Sequence, residues 1–221
     1  MKKFIAQKII FDLDGTLVDS AADLIAATNH CMDYIGRPHI TLDEGRHMAG
    51  HGALPLIEHA LLKSGGLNGI NPKDHHQRFL NYYIETMSHH STLFDGVIET
   101  LELLRGQGYQ LAICTNKSIG LTTPLLQKFA IDHYFDVVHG GDSLAYSKPD
   151  PRHISLTLKA MQGNGLGVMV GDTKSDILPA QKLKIPAIAM AYGYSDIPLE
   201  MLNPDIILHS MRDLPAILSK N

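Results

Sequence analysis

The stretch Phe11 to Ser20, "FDLDGTLVDS", sets two carboxylates, Asp12 and Asp14, one residue apart at the end of an apolar run. Ile9, Ile10, Phe11 and Leu13 are bulky and mostly β-forming, and "DGT" favours a turn, so the pattern predicts a buried strand ending on the two aspartates. Side chains two residues apart on an extended segment share a face. Two carboxylates so placed repel each other, and a bound cation is the simplest counter-charge. Gly15 would give the backbone freedom for a sharp exit of the chain.

Outward from this stretch the pattern becomes helical. Leu24, Ala27, Thr28, Cys31 and Ile35 recur at helical spacing, with Ser20 and Asp23 spaced as a capping box and Gly36 as a stop. Thr41 and Glu44 repeat the capping-box spacing, "ALPLIEHALLKSGG" carries another apolar helical face, and Asn71-Pro72 marks a further helix start. Residues 18–91 are therefore expected to form an all-helical insert.

Beyond Phe94 helices alternate with short apolar runs: "YQLAICT" (109–115), "FDVVHG" (135–140), "GVMVGD" (167–172), "PAIAMA" (186–191) and "DIILH" (205–209). Alternation of this kind implies right-handed crossovers and a parallel sheet covered on both faces. The expected fold is an α/β doubly wound parallel sheet, a core of residues 1–17 and 92–221, with an inserted all-helical cap domain. Such sheets bind ligands beyond the carboxyl ends of their strands. Asp12 and Asp14, then Thr115 and Asn116, then Asp172 are predicted at such ends, while Asp150 and Pro151 would start a helix just after Lys148.

Composition narrows the function. The chain has 221 residues, 44% hydrophobic and 19% charged, enough for a sizeable core, and its formal net charge of -4 gives no basic field for nucleic acid or membrane surfaces. Gln7, Lys8 and Asp12 interrupt what would be a signal-peptide core, so a cytoplasmic location is expected. Cys31 and Cys114 sit in apolar patterns and read as buried, reduced thiols. Thirteen histidines, including His47 and His51, His75-His76 and His89-His90, read as solvated groups without a closed ligand set.

Taken in order, "DLDGT", "TNK", "SKPDP" and "GDTKSD" resemble the four signatures of the haloacid dehalogenase superfamily over essentially the whole chain. The resemblance implies a Rossmannoid core and Mg²⁺-dependent hydrolysis through an aspartyl-phosphate. Asp12 would be the nucleophile, splitting one difficult displacement into two easier ones. Asp14 would protonate the leaving oxygen and then deprotonate the attacking water. By the same resemblance Asp12, the backbone carbonyl of Asp14 and Asp172 would hold Mg²⁺, Lys148 would offset charge, and Thr115, Asn116 and nearby N–H groups would hold the phosphoryl oxygens. Three readings of Asp176 stay open: orienting Lys148, standing in the outer metal shell, or favouring a helix start. Dehalogenases need the nucleophile but lack the second aspartate, so Asp14 favours phosphoryl transfer.

The segment "GRHMAGHGALPLIEHAL" (45–61) is similar to the cap of bacterial phosphoglycolate phosphatases, as are "TNKSIGLTTPLLQKF", "HGGDSLAYSKPDP" and "AYGYSDIPLEMLNPDIIL". Asp95 stands before Gly96 where such chains often have proline. The resemblance implies 2-phosphoglycolate as substrate, with Arg46, Gly50 and Gly52 as candidates for its carboxylate. The expected partner is a small phosphorylated metabolite, acted on by a monomer or homodimer that engages neither nucleic acid nor membrane. A phosphatase for another metabolite such as a sugar phosphate, a phosphomutase, and a non-catalytic phosphate-binding module are the alternatives.

Overall fold

The computed structural model describes residues 3–220. The run after Gln7 forms β1 (Lys8–Phe11), buried throughout. It is joined by β2 (Gln110–Cys114), β3 (Val137–His139), β4 (Gly167–Gly171), β5 (Ala187–Met190) and β6 (Ile206–Leu208). The sheet order is β3-β2-β1-β4-β5-β6, and every neighbouring pair is parallel. Period-two alternation divides the strand residues between two cores. Ile9, Phe11, Leu111, Ile113, Val168 and Val170 belong to one, and Ile10, Ala112, Cys114 and Met169 to the other. β1 and β4 are buried on both faces and accordingly read as continuous apolar runs.

Between β1 and β2 the chain makes α1 (Ala21–Ile35), α2 (Leu42–Gly45), a 3₁₀ segment (Arg46–His51), α3 (Ala53–Lys63), α4 (Lys73–Thr86) and α5 (Val97–Gly106). Val18–Asp19 pairs antiparallel with Thr92–Leu93, so a two-stranded ribbon brackets the helices α1 to α4. Leu24, Ala27, Thr28 and Cys31 of α1 are buried at the expected spacing, and Phe79 and Tyr83 of α4 join the same core. The remaining helices are α6 (Ile119–Lys128), α7 (Pro151–Ala160) and α8 (Lys174–Lys182). Cys31 and Cys114 are buried free thiols, and no helix among the described residues is long and apolar enough to cross a membrane.

The expected caps divide instructively. Thr41 and Glu44 form the full capping box of α2, and Asp150 accepts from Arg152 N–H at the start of α7 with Pro151 in the first helical position. The box expected at Ser20 and Asp23 does not form. The phenolic oxygen of Tyr194 instead accepts from the N–H groups of Ser20 (2.8 Å) and Ala21 (3.1 Å), capping α1 from far along the chain. Ser20 Oγ is thereby released to donate to Asp14. Fully buried Asp23 accepts from His90 N–H, Ser91 N–H and Ser91 Oγ–H at 2.6–3.2 Å, which fastens the end of the helical insert to α1. At α4 the helix opens one residue later than the Pro72 start expected, with Asn71 Oδ1 accepting from Lys73 N–H.

Asp23→Ala would strand buried donors at the ribbon while leaving β1 and its sheet neighbours untouched. It is expected to lower stability by about 3 kcal/mol, since each buried donor left unsatisfied costs about 1 to 3 kcal/mol. Urea unfolding monitored by circular dichroism measures this.

Candidate active site

Sheet order reverses at β1, whose neighbours β2 and β4 lead to opposite edges, so a crevice opens beyond the carboxyl ends of these three strands. Asp12 and Asp14 follow β1, Thr115 follows β2, and Asp172 follows β4. Lys148 arrives from the loop before α7, and Asp176 from the first turn of α8. All six side chains are buried.

Lys148 Nζ lies 3.0 Å from Asp12 Oδ1 and 2.5 Å from Asp176 Oδ1. The other Asp176 oxygen accepts from Thr173 N–H (3.0 Å) and Thr173 Oγ1–H (2.9 Å), completing a capping box on α8. Orienting Lys148 and starting the helix are thus one side chain's two contacts. Asp172 accepts from Thr16 Oγ1–H at one oxygen and from Tyr194 N–H at the other, both at 2.7 Å. A Cβ on Gly15, whose φ is +85°, or on Gly193 would strike the Asp172 side chain, so both positions require glycine.

Asp12, Asp172 and Asp176 each present an oxygen, all within 4.8 Å of one another, and could hold a metal ion. They are the one such group found among the described residues. The oxygens of Asp176 already accept from Lys148 and the α8 start, and those of Asp172 from Thr16 and Tyr194, so a metal would share these oxygens through their remaining lone pairs. Charge gives an independent test of fit. Asp12, Asp14, Asp172 and Asp176 face two buried ammonium groups, Lys117 and Lys148. If all are ionised, two negative charges remain, the charge of one divalent cation.

Without that cation the carboxyls resist ionisation. Burial pushes Asp12 up to about 7, with the Lys148 ammonium opposing the rise and the Asp176 carboxylate adding to it. Burial, then Asp176 and Asp12, push Asp172 well above the usual carboxylate range. Burial works against the charge on Lys148, but Asp12 and Asp176 outweigh it and hold the ammonium above the ordinary lysine range.

Sequence reasoning missed the surroundings of Asp14. Lys117 Nζ is 3.1 Å from each Asp14 oxygen and donates to the Tyr83 hydroxyl at 2.9 Å, while Ser20 Oγ–H also donates to Asp14. Lys117 stands inside "TNK", beside Thr115 and Asn116, and its place at a strand's carboxyl end was the available signal; its burial was not legible. Thr115 Oγ1 accepts from Lys117 N–H at 3.3 Å, leaving the hydroxyl proton for another acceptor.

Asp14, Asn116, Lys117 and Gly52 line a cavity of about 210 Å³ between the insert and the sheet end, walled by Leu24, Leu54, Phe79 and Leu121. Gly52, with φ +95°, starts α3 at its rim. Gly50 lies near Thr173 and is not among the lining residues. Arg46 is placed elsewhere: it pairs with Asp19 at 3.2 Å, lies 5.2 Å from the Tyr194 ring centroid, and lines a separate depression with Asp43, His47 and Ser195.

Comparison with known proteins agrees with this architecture. The haloacid dehalogenase-like hydrolase family matches residues 9–190. A phosphoglycolate phosphatase of Agrobacterium fabrum is 39% identical over 214 residues, spanning 96% of this chain and 92% of its own. One from Caulobacter vibrioides is 37% identical, spanning 94% and 88%. A crystal structure of a predicted phosphoglycolate phosphatase from Haemophilus somnus superposes with a TM-score of 0.87 at 32% identity, covering 96% of this chain and 97% of that one. The chain belongs to the haloacid dehalogenase-like hydrolases. Within that class it is a phosphoric monoester hydrolase.

The carboxyl shifts set a pH dependence. A carboxyl whose folded pKa is raised binds more protons folded than unfolded, so its contribution is present below the unfolded pKa and lost as pH rises through the folded one. For Asp12 that window runs from about 4 to about 7. In chelator, Tm is expected to fall from pH 5 to pH 8. Because a cation competes with protons for these oxygens, the rise in Tm on adding Mg²⁺ is expected to widen over the same range. Thermal melts at both pH values, with and without Mg²⁺, check it.

Proposed function

We propose that the protein hydrolyses 2-phosphoglycolate to glycolate and phosphate through a phosphoryl group carried on Asp12. The observation that carries this reading is the buried Asp12 carboxylate, paired with Lys148 at 3.0 Å and set among carboxylates suited to a divalent cation. Asp14, two residues on, lines a cavity of about 210 Å³ into which a leaving group can extend. That volume is ample for a two-carbon leaving group. Relatives named phosphoglycolate phosphatase, similar over nearly the whole chain, support the same choice.

In the first half of the reaction an Asp12 oxygen attacks phosphorus in line, the phosphorus–oxygen ester bond breaks, and Asp14 gives its proton to the departing oxygen. In the second half Asp14 takes a proton from water as that water attacks phosphorus, releasing phosphate and restoring Asp12. Lys148, fixed by Asp176, offsets charge on Asp12 and the transferring group, and the Thr115 hydroxyl and neighbouring N–H groups hold its oxygens. Asp12, Asp172 and the Asp14 carbonyl would hold Mg²⁺, which would supply positive charge for a dianionic phosphate to approach these carboxylates.

Phosphate release from a metabolite panel, with and without Mg²⁺, tests the reading. 2-Phosphoglycolate is expected to lead in kcat/KM, Asp12→Asn to lose about 10⁴-fold or more, and Asp14→Asn to lose about 10² to 10⁴-fold. A Mg²⁺-dependent but flat profile would remove the substrate and keep the chemistry.

A further inference from the structure

The cavity beside Asp14 contains a cation that the reaction just described does not use. Lys117 is the one lysine or arginine among the described residues lining that cavity. Its ammonium carries three donors, directed in part to the two Asp14 oxygens and the Tyr83 hydroxyl. The walls around it are otherwise largely apolar, with Leu24, Phe79, Leu80 and Leu121 among them, so an anion entering here meets a charge little screened by water.

We propose that Lys117 is the specificity residue for a carboxylate in the leaving group, so that selection for an anionic ester is built into the core loop after β2. The inference rests on the phosphoglycolate reading and deepens it. The geometry follows from covalent distance. In 2-phosphoglycolate the carboxylate is bonded to the same carbon as the ester oxygen. The group that protonates that oxygen is Asp14, and Lys117 Nζ lies one hydrogen bond, 3.1 Å, from Asp14. A carboxylate that close to the ester oxygen falls within reach of Lys117. Arg46 is less suited, because it lines a different depression, away from Asp14. A leaving group bearing only hydroxyls would forgo a charge-assisted contact to this weakly screened ammonium, and the loss of that contact discriminates between the two kinds of ester.

The test compares 2-phosphoglycolate with ethyl phosphate, the same ester with a methyl group in place of the carboxylate, in the Mg²⁺-loaded full chain. Wild type should favour the carboxylate ester in kcat/KM. Lys117→Met should narrow that preference by about 30-fold or more, the scale of a lost hydrogen bond to a charged group, mostly through KM. Lys117→Arg should restore part of it. Equal losses on both esters would overturn the inference, since Lys117 would then act only by holding Asp14; the phosphoglycolate reading would survive. A wild type that does not favour the carboxylate would overturn both. If Lys117→Met fails to fold by circular dichroism, Tyr83→Phe, which removes only the hydroxyl tethering Lys117, decides: a preference narrowed about threefold or more supports the inference, and an unchanged one overturns it.

Discussion

Four carboxylates are buried at one end of a sheet with two lysines to answer them, and the rest of the structure is arranged around that imbalance. Burying an unpaired charge is so unfavourable that the group normally neutralises instead, which is the direction in which Asp12 and Asp172 move. The fold distributes the remaining load by hydrogen bonds. Thr16 and the Tyr194 N–H share Asp172, the Leu13 N–H and Lys148 share one oxygen of Asp12, and Ser20 and Lys117 share Asp14. The donors come from the segment after β1 and from the loops that carry Lys117, Lys148 and Tyr194, so these loops are fixed because the charges are.

Tyr194 shows how the insert depends on the same arrangement. Its N–H holds Asp172 while its hydroxyl caps α1 and donates to Asp19 at 2.6 Å. One residue therefore ties the start of the insert to the acidic cluster, and it displaces the local cap that Ser20 would have supplied. Ser20, freed, turns to Asp14. The helix start and Asp14 are consequently bonded to each other.

What was legible in the sequence is what short-range patterning controls. Apolar runs between helical stretches located every strand of the six-stranded sheet: the four inner strands are four to five residues long and buried, with no polar alternative, and the two edge strands are three residues long and partly buried. The side chains at strand ends followed from the same runs. Three kinds of feature were not legible. Long-range capping, as by Tyr194, leaves no local signal at Ser20. Burial of a lysine, as at Lys117, depends on Tyr83 arriving from α4 and not on its own neighbours. Close approach, as of Gly193 to Asp172, appears in sequence only as another glycine in a loop.

Arg46 and Lys117 were distinguishable only by partner. Both are long cations near turns, and the one in the helical insert was the natural candidate, since inserts vary while cores carry the chemistry. In three dimensions the arginine meets Asp19 at the half-exposed margin of the insert, where solvent screens the pair and leaves it a small energetic role. The lysine is enclosed with Asp14, where screening is weak and a change of partner has a large electrostatic consequence. A cation can discriminate among leaving groups only where its charge is felt, and here that place is on the loop that also carries Thr115. Phosphoryl binding and leaving-group selection would then be set by Thr115 and Lys117, two residues apart at one strand end, with the insert supplying the apolar walls that make the charge effective.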